Sequence, residues 1–159
     1  MAQITFISVG TLKEKYLTEA VGEYKKRLTQ YARVEEVELR EERIVDEDNG
    51  REIEAALDRE ADKILAAVPK DAYLIALCVE GKGYSSEELA RIIGEAVDSR
   101  GKIAFVIGSS HGLSPRVKTA AHLRLSFSRL TFPHQLMRVM LYEATYRSFT
   151  ILAGKRYHK

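Results

Sequence analysis

The chain has 159 residues, 45% hydrophobic and 30% charged, with a formal net charge of +2. Such a chain is long enough to bury one proper core and has the makeup of an ordinary globular domain. A lone cysteine, Cys78, excludes an internal disulfide framework, and no uncharged apolar run approaches the roughly 20 residues that span a bilayer.

The first apolar run, Ile4–Val9, reads as a strand ended by Gly10. Tyr16, Leu17, Ala20, Val21, Tyr24 and Leu28 then recur at helical spacing between Lys13 and Gln30. Arg33–Leu39 alternates loosely, as a half-exposed edge strand does. Arg40–Gly50 is a charged loop. A second helix is expected over Arg51–Ala67, with Ile53, Ala56, Leu57, Ile64 and Leu65 inward and Pro69 closing it. Tyr73–Val79 is continuously apolar, the pattern of a strand covered on both faces, and Cys78 within it reads as a buried thiol. Gly81 and Gly83 suggest a turn. Ser85 with Glu88 forms a capping-box pattern that opens a helix to about Ser99, and Lys102–Gly108 is another buried strand.

The last third is less regular. Ser114 followed by Pro115 is a good helix start, Leu123–Phe127 a short strand, and Pro133 the opening of a long helix to about Phe149. On that helix Leu136, Met140, Ala144, Met137, Leu141 and Ser148 are expected to share one broad face. Gly154 ends it, leaving the basic, aromatic tail Lys155–Lys159. Alternating strands and helices predict an α/β fold, a mostly parallel sheet flanked by helices, as a single domain over residues 1–159. No signal-peptide pattern stands at the N-terminus, so a cytoplasmic protein is expected, with no membrane partner.

The small net charge hides a polar distribution. Residues 101–159 carry ten Lys/Arg and one acid, Glu143, which leaves +9 there and −7 on the first 100 residues. A concentrated positive surface attracts a polyanion such as nucleic acid; an acidic face on a partner subunit is the alternative. All four histidines, His111, His122, His134 and His158, lie in this basic part.

Familiar nucleotide motifs are missing, since Gly108–Gly112 lacks GxGxxG spacing and no phosphate-binding loop is present. In open α/β sheets ligands bind beyond the carboxyl ends of the strands. Three segments are expected to converge there: Leu77–Gly83, Gly108–Leu113 and Phe127–Pro133. Gly108 and Gly112 allow close backbone approach, or simply serve turns. Phe127, Leu130 and Phe132 could wall an adenine. The histidines are too scattered for a metal site, so no metal is expected, and His134 beside Pro133 reads equally as a packing residue. A Ser-His-Asp hydrolase is excluded by the lack of any Asp in the last 59 residues and of a GxSxG elbow.

Phe105–Gly108 with Gly112 and Leu113, Leu125–Ser126 leading into Thr131-Phe132-Pro133-His134-Gln135, then Arg138, Glu143, Tyr146, Arg147 and the terminal Tyr157-His158-Lys159, closely resemble the RlmH family. The likeness runs along the whole chain. These are small SPOUT-class methyltransferases that methylate N3 of a pseudouridine in the helix 69 loop of 23S rRNA. The resemblance implies a SPOUT-type fold with a C-terminal trefoil knot, a homodimer, and S-adenosyl-L-methionine as methyl donor at the knot. Carried over by motif, the donor would contact Leu77, Gly108 and Phe127, Ser128, Arg129, Leu130, Thr131 and Phe132. The tail of the partner subunit would supply Tyr157 to position the base and His158 as candidate base or proton relay. Arg138, Arg147 or Lys159 would stabilise developing negative charge, and Lys155, Arg156 and Lys159 would grip RNA phosphates. With no appended RNA-binding domain, the ribosome itself is the expected substrate. Two positions depart from the family: Ser109 and Ala144 stand where glycine and glutamine are usual. Ser109 must therefore adopt φ < 0 or tolerate strain. The rival readings are a non-enzymatic RNA-binding protein and a flavodoxin-like nucleotide-binding module.

Overall fold

The computed structural model describes residues 1–159, with elements in the order β1 (Ala2–Val9), α1 (Lys15–Leu28), β2 (Ala32–Leu39), α2 (Gly50–Ala67), β3 (Tyr73–Lys82), α3 (Ser86–Arg100), β4 (Lys102–Ile107), α4 (Pro115–Ala120), β5 (Leu123–Leu125) and α5 (His134–Leu152). The five strands form one sheet in the order β2-β1-β4-β3-β5, and every neighbouring pair is parallel. β1 and β4 lie inside the sheet, which is why both are buried on both faces. β2, on the edge, alternates as its charged sequence requires.

Helices cover the two faces unequally. On one face Phe6, Ile75 and Phe105 meet Val21 and Leu28 of α1, Leu89 and Ile93 of α3, and Leu141, Tyr142 and Phe149 of α5. On the other, Ile7, Leu74 and Val106 meet Ala61 and Ile64 of α2 and Val117 of α4. Phe6 lies at the heart of the first layer, its ring 3.9 Å from that of Tyr142 and 5.4 Å from that of Phe105.

The helix ends follow local chemistry. Asn49 Oδ1 accepts from the backbone N–H of Arg51 and Glu52 at the start of α2. Ser85 and Glu88 close the expected capping box on α3, and Ser114 caps α4 with Pro115 in its first turn.

Three sequence expectations are corrected. Gly81 and Lys82 are not a turn but the end of β3, pairing with β5; a Cβ on Gly81 would lie 2.8 Å from the Leu125 backbone, so glycine serves close strand approach. The inner face of α2 is carried by Ala56, Glu60, Ala61 and Ile64, with Ile53, Leu57 and Leu65 only partly buried. Glu60 is buried because its Oε2 accepts from the backbone N–H of Glu42 at 2.8 Å, fastening the segment after β2. On α5, Leu136 is 39% exposed while Arg138, Leu141, Tyr142, Thr145 and Phe149 face inward, so the broad face divides into a core stripe and an outer apolar stripe.

Candidate functional site

Chain direction creates the site. β3 continues into α3 on one face of the sheet, and its neighbour β4 leads to α4 on the other. Connections that diverge from adjacent parallel strands leave a crevice at their carboxyl ends. There a cavity of about 670 Å³ is lined from three sides: Leu77–Glu80 from β3, Ile107–Leu113 after β4, and most of Leu125–His134 after β5. That volume is in the range of small-molecule sites.

Two glycines serve this region differently. A Cβ on Gly108 would sit 2.3 Å from the carbonyl oxygen of Gly112, so the loop is drawn tight across a bare Cα. Gly112 has φ +88 and makes the turn; its N–H donates to the carbonyl of Ser109 at 2.9 Å. Ser109 keeps a negative φ, since Asp71 is the one non-glycine residue with a positive value. The Ser109 Oγ accepts from the backbone N–H of His111 at 3.3 Å, so this side chain braces the turn.

After β5 the chain holds itself open by short-range bonds. Ser126 Oγ donates to the carbonyl of Ser128 at 3.0 Å, and Ser128 Oγ accepts from the N–H of Leu130 at 3.0 Å. Of the expected donor contacts, Leu77, Gly108, Phe127, Ser128, Leu130, Thr131 and Phe132 line the cavity, and Arg129 does not.

The wall also carries the ionisable groups Cys78, Glu80, His111, Lys118 and His134, of which Lys118 lies outside the expected segments. Lys118 pairs with Glu80, and this bond chiefly holds the Glu80 carboxyl below its ordinary range. His111 Nε2 lies 2.8 Å from Glu47 of the segment between β2 and α2, which reaches the cavity lip. Cys78 is half-buried, and burial with the Glu80 charge pushes its thiol up. Glu80 at the end of β3 was the available signal, because strand carboxyl ends aim side chains at the crevice.

Arg138, Arg147, Tyr157 and His158 do not line the cavity of their own chain. Arg138 is 4% exposed; its Nη1 lies 2.9 Å from Glu38 and 3.4 Å from the carbonyl of Gly10. The other three form one cluster on α5. Glu143 Oε1 accepts from Arg147 Nε at 2.9 Å and Nη2 at 2.6 Å, and from the Tyr157 hydroxyl at 3.2 Å. The Arg147 guanidinium stands over the Tyr157 ring, 4.8 Å from its centroid. Burial, then the neighbouring Tyr24 hydroxyl and Glu143 charge, push the Tyr157 phenol up to about 12.

His158 Nδ1 is 3.0 Å from Arg147 Nη1 and Nε2 is 2.7 Å from Glu87. A guanidinium only donates, so Nδ1 accepts and the ring proton sits on Nε2, which donates to Glu87. The tail is therefore docked through its aromatic residues, while Lys155, Arg156 and Lys159 stay exposed.

A groove beside the cavity shares Phe127 with it and is otherwise lined by Tyr24, Val139, Met140, Glu143 and Ala144. With the exposed Leu136 it forms an apolar strip along α1 and α5. No helix is long and apolar enough to cross a membrane.

Comparison with known proteins adds sequence relatives and fold neighbours. The family model described as "Predicted SPOUT methyltransferase" matches residues 2–158. A protein of Caldicellulosiruptor bescii named ribosomal RNA large subunit methyltransferase H is 51% identical over 156 residues, 98% of this chain and 99% of the relative. Its namesake in Bacillus pumilus is 46% identical over the same shares of both chains. Among solved structures, a probable methyltransferase from Bordetella pertussis aligns with TM-score 0.54 and 12% identity over 92% of this chain and 96% of that one. A probable methylase family protein from Haemophilus influenzae aligns with TM-score 0.53 and 14% identity over 98% of this chain and 70% of the other. At such identities these two structures speak for the fold alone.

Proposed function

The chain belongs to the SPOUT methyltransferase family, and from that premise we propose that it methylates ribosomal RNA of the large subunit. The specific reading is N3 of a pseudouridine in the helix 69 loop of 23S rRNA, in assembled ribosomes in the cytoplasm, with residues 1–159 acting as one SPOUT domain. One observation carries it. The cavity beyond β3, β4 and β5 is built from the stretches in which the chain matches the family's motifs, and relatives named as large-subunit ribosomal RNA methyltransferases align over 98% of the chain.

The residues present fit S-adenosyl-L-methionine. Gly108 lets the Ser109–Gly112 loop close over its bare Cα and so shapes the wall, Phe127, Leu130 and Phe132 offer apolar surface to a purine, and the turns of Ser126–Leu130 leave backbone groups for hydrogen bonding. Leu77, Gly108 and Phe127–Phe132 would hold the donor, with Arg129 acting from outside the wall. When bound, the donor supplies an electrophilic methyl carbon on a sulfonium. The family's knot would lie where the segment after β5 passes Gly81 and Gly108.

Two copies complete the site in this reading. The apolar strip of Leu136, Met140, Ala144 and Tyr24 pairs with a second protomer, since a patch of this kind on a small domain marks an interaction surface. The tail of the second copy then reaches the mouth of the cavity. Tyr157 and His158 hold and orient the target base, Arg147 and Lys159 face the charge that builds on it, and Arg138 keeps the base of α5 fixed on Gly10 and Glu38. Lys155 and Arg156 meet backbone phosphates. Much of the rate comes from fixing the two reactants at short range.

The test is mass spectrometry of 23S rRNA fragments from cells lacking this protein. Loss of one methyl group from the helix 69 fragment, restored by the wild-type gene, is expected. An unchanged fragment overturns the assignment.

A further inference from the structure

Methylating a ring N–H requires that its proton be taken, and on the reading above one cavity-wall side chain is suited to take it. We propose that His134 is a catalytic residue, the proton acceptor from the nitrogen that is methylated. Four wall groups other than lysine could in principle accept a proton: Cys78, Glu80, His111 and His134. Burial and the Glu80 charge keep Cys78 protonated and so without a free thiolate. Glu80 is neutralised by Lys118, which makes it a weaker base than an ordinary carboxylate. His111 is held through Nε2 by Glu47 at 2.8 Å, which ties its ring to the segment between β2 and α2. His134 is half-buried on the wall, and neither ring nitrogen is engaged by a protein hydrogen bond.

His134 Nε2 and Glu41 Oε2 each lie 3.9 Å from the point where a Cβ on Gly10 would stand, so the ring borders that glycine. The other charged groups around it are already matched, Arg138 with Glu38 and Lys118 with Glu80, and His111 with Glu47. In the step, the proton leaves N3 for an imidazole nitrogen and the N–H electron pair stays on the base. That pair forms the bond to the methyl carbon as the carbon–sulfur pair returns to sulfur. The products are the N-methyl base, a neutral thioether and an imidazolium that releases its proton to water.

The experiment is single-turnover methyl transfer to ribosomes across pH 5–9, with donor binding measured by calorimetry. For His134→Gln, a rate about 10²- to 10³-fold lower with donor affinity within threefold is expected, together with loss of the acid limb of the pH–rate profile. His134→Ala should regain rate with added imidazole. The inference is overturned if His134→Gln transfers methyl within a few-fold of wild type, if the limb instead disappears in His158→Ala, or if donor affinity and rate fall together without imidazole rescue. A wild-type protein that transfers no methyl to ribosomal RNA defeats the parent reading as well, whereas an active wild type with an indifferent His134 defeats this inference alone.

Discussion

The Tyr142 hydroxyl donates to Glu36 Oε2 at 2.5 Å while its ring lies flat on Phe6 in the core. One side chain thus joins α5 to the edge strand β2 and to the centre of the sheet. Burial alone would raise the Glu36 carboxyl; the bonds from Lys25 and Tyr142 outweigh it and hold Glu36 below its ordinary range.

Tyr142→Phe keeps the ring and removes the donor, and is expected to cost about 1.5 kcal/mol of stability at pH 7. A carboxylate held low in the folded state contributes stability above its unfolded value, near 4.3, and loses it as pH falls through the lower folded value. The gap between wild type and variant should therefore narrow as pH drops from 5 towards 2. Urea melts at several pH values measure it; a gap that stays constant removes Glu36 as the partner that matters.

Gly108→Ala and Gly81→Ala place a methyl against backbone, at 2.3 Å and 2.8 Å, and should fail differently. At Gly108 the tight loop must open, so donor binding is expected to weaken at least tenfold with the fold retained. At Gly81 strand β5 must move, so stability should drop by about 1–3 kcal/mol. Calorimetry with the donor and thermal melts separate the two effects.

Tyr157→Phe removes one of the hydrogen bonds that Glu143 accepts, and His158→Ala removes the link from Arg147 to Glu87. Both are expected to lower methylation of ribosomes at least tenfold while donor affinity holds. Unchanged turnover in both would free the tail of any part in the reaction.

Met140→Glu puts a charge in the apolar groove beside Val139 and Ala144. If that strip joins two protomers, light scattering should show a monomer, and methylation should fall even though each chain still binds donor. A dimer that survives the charge would place the contact elsewhere.

Much of the fold was legible because its signals are local. Continuous apolar runs marked β1, β3 and β4 as covered strands, Ser85 with Glu88 marked a helix start, and the three converging segments followed from parallel topology. The end of β3 was misread because Gly81 looks the same whether it makes a turn or admits a neighbouring strand; only the Leu125 backbone, 44 residues along the chain, distinguishes them. Glu60 was missed because its burial depends on one N–H supplied by the segment after β2. The cavity-lining residues after β5 were singled out through motif likeness and not through periodicity. His134 was marked within the Thr131–Gln135 motif, but its place on the cavity wall shows only in three dimensions. Arg129 was grouped with its neighbours as a donor contact, but it is exposed and does not line the cavity.

α5 packs on both α1 and α3, and its first residue closes one wall of the cavity. α5 is made after every strand that it covers. Until it emerges, Phe6 lacks the cover of Tyr142 and the cavity lacks its His134 wall. A chain stalled or cut short before Pro133 would present that bare layer to chaperones and proteases, so truncated copies should be cleared rather than compete with the finished enzyme.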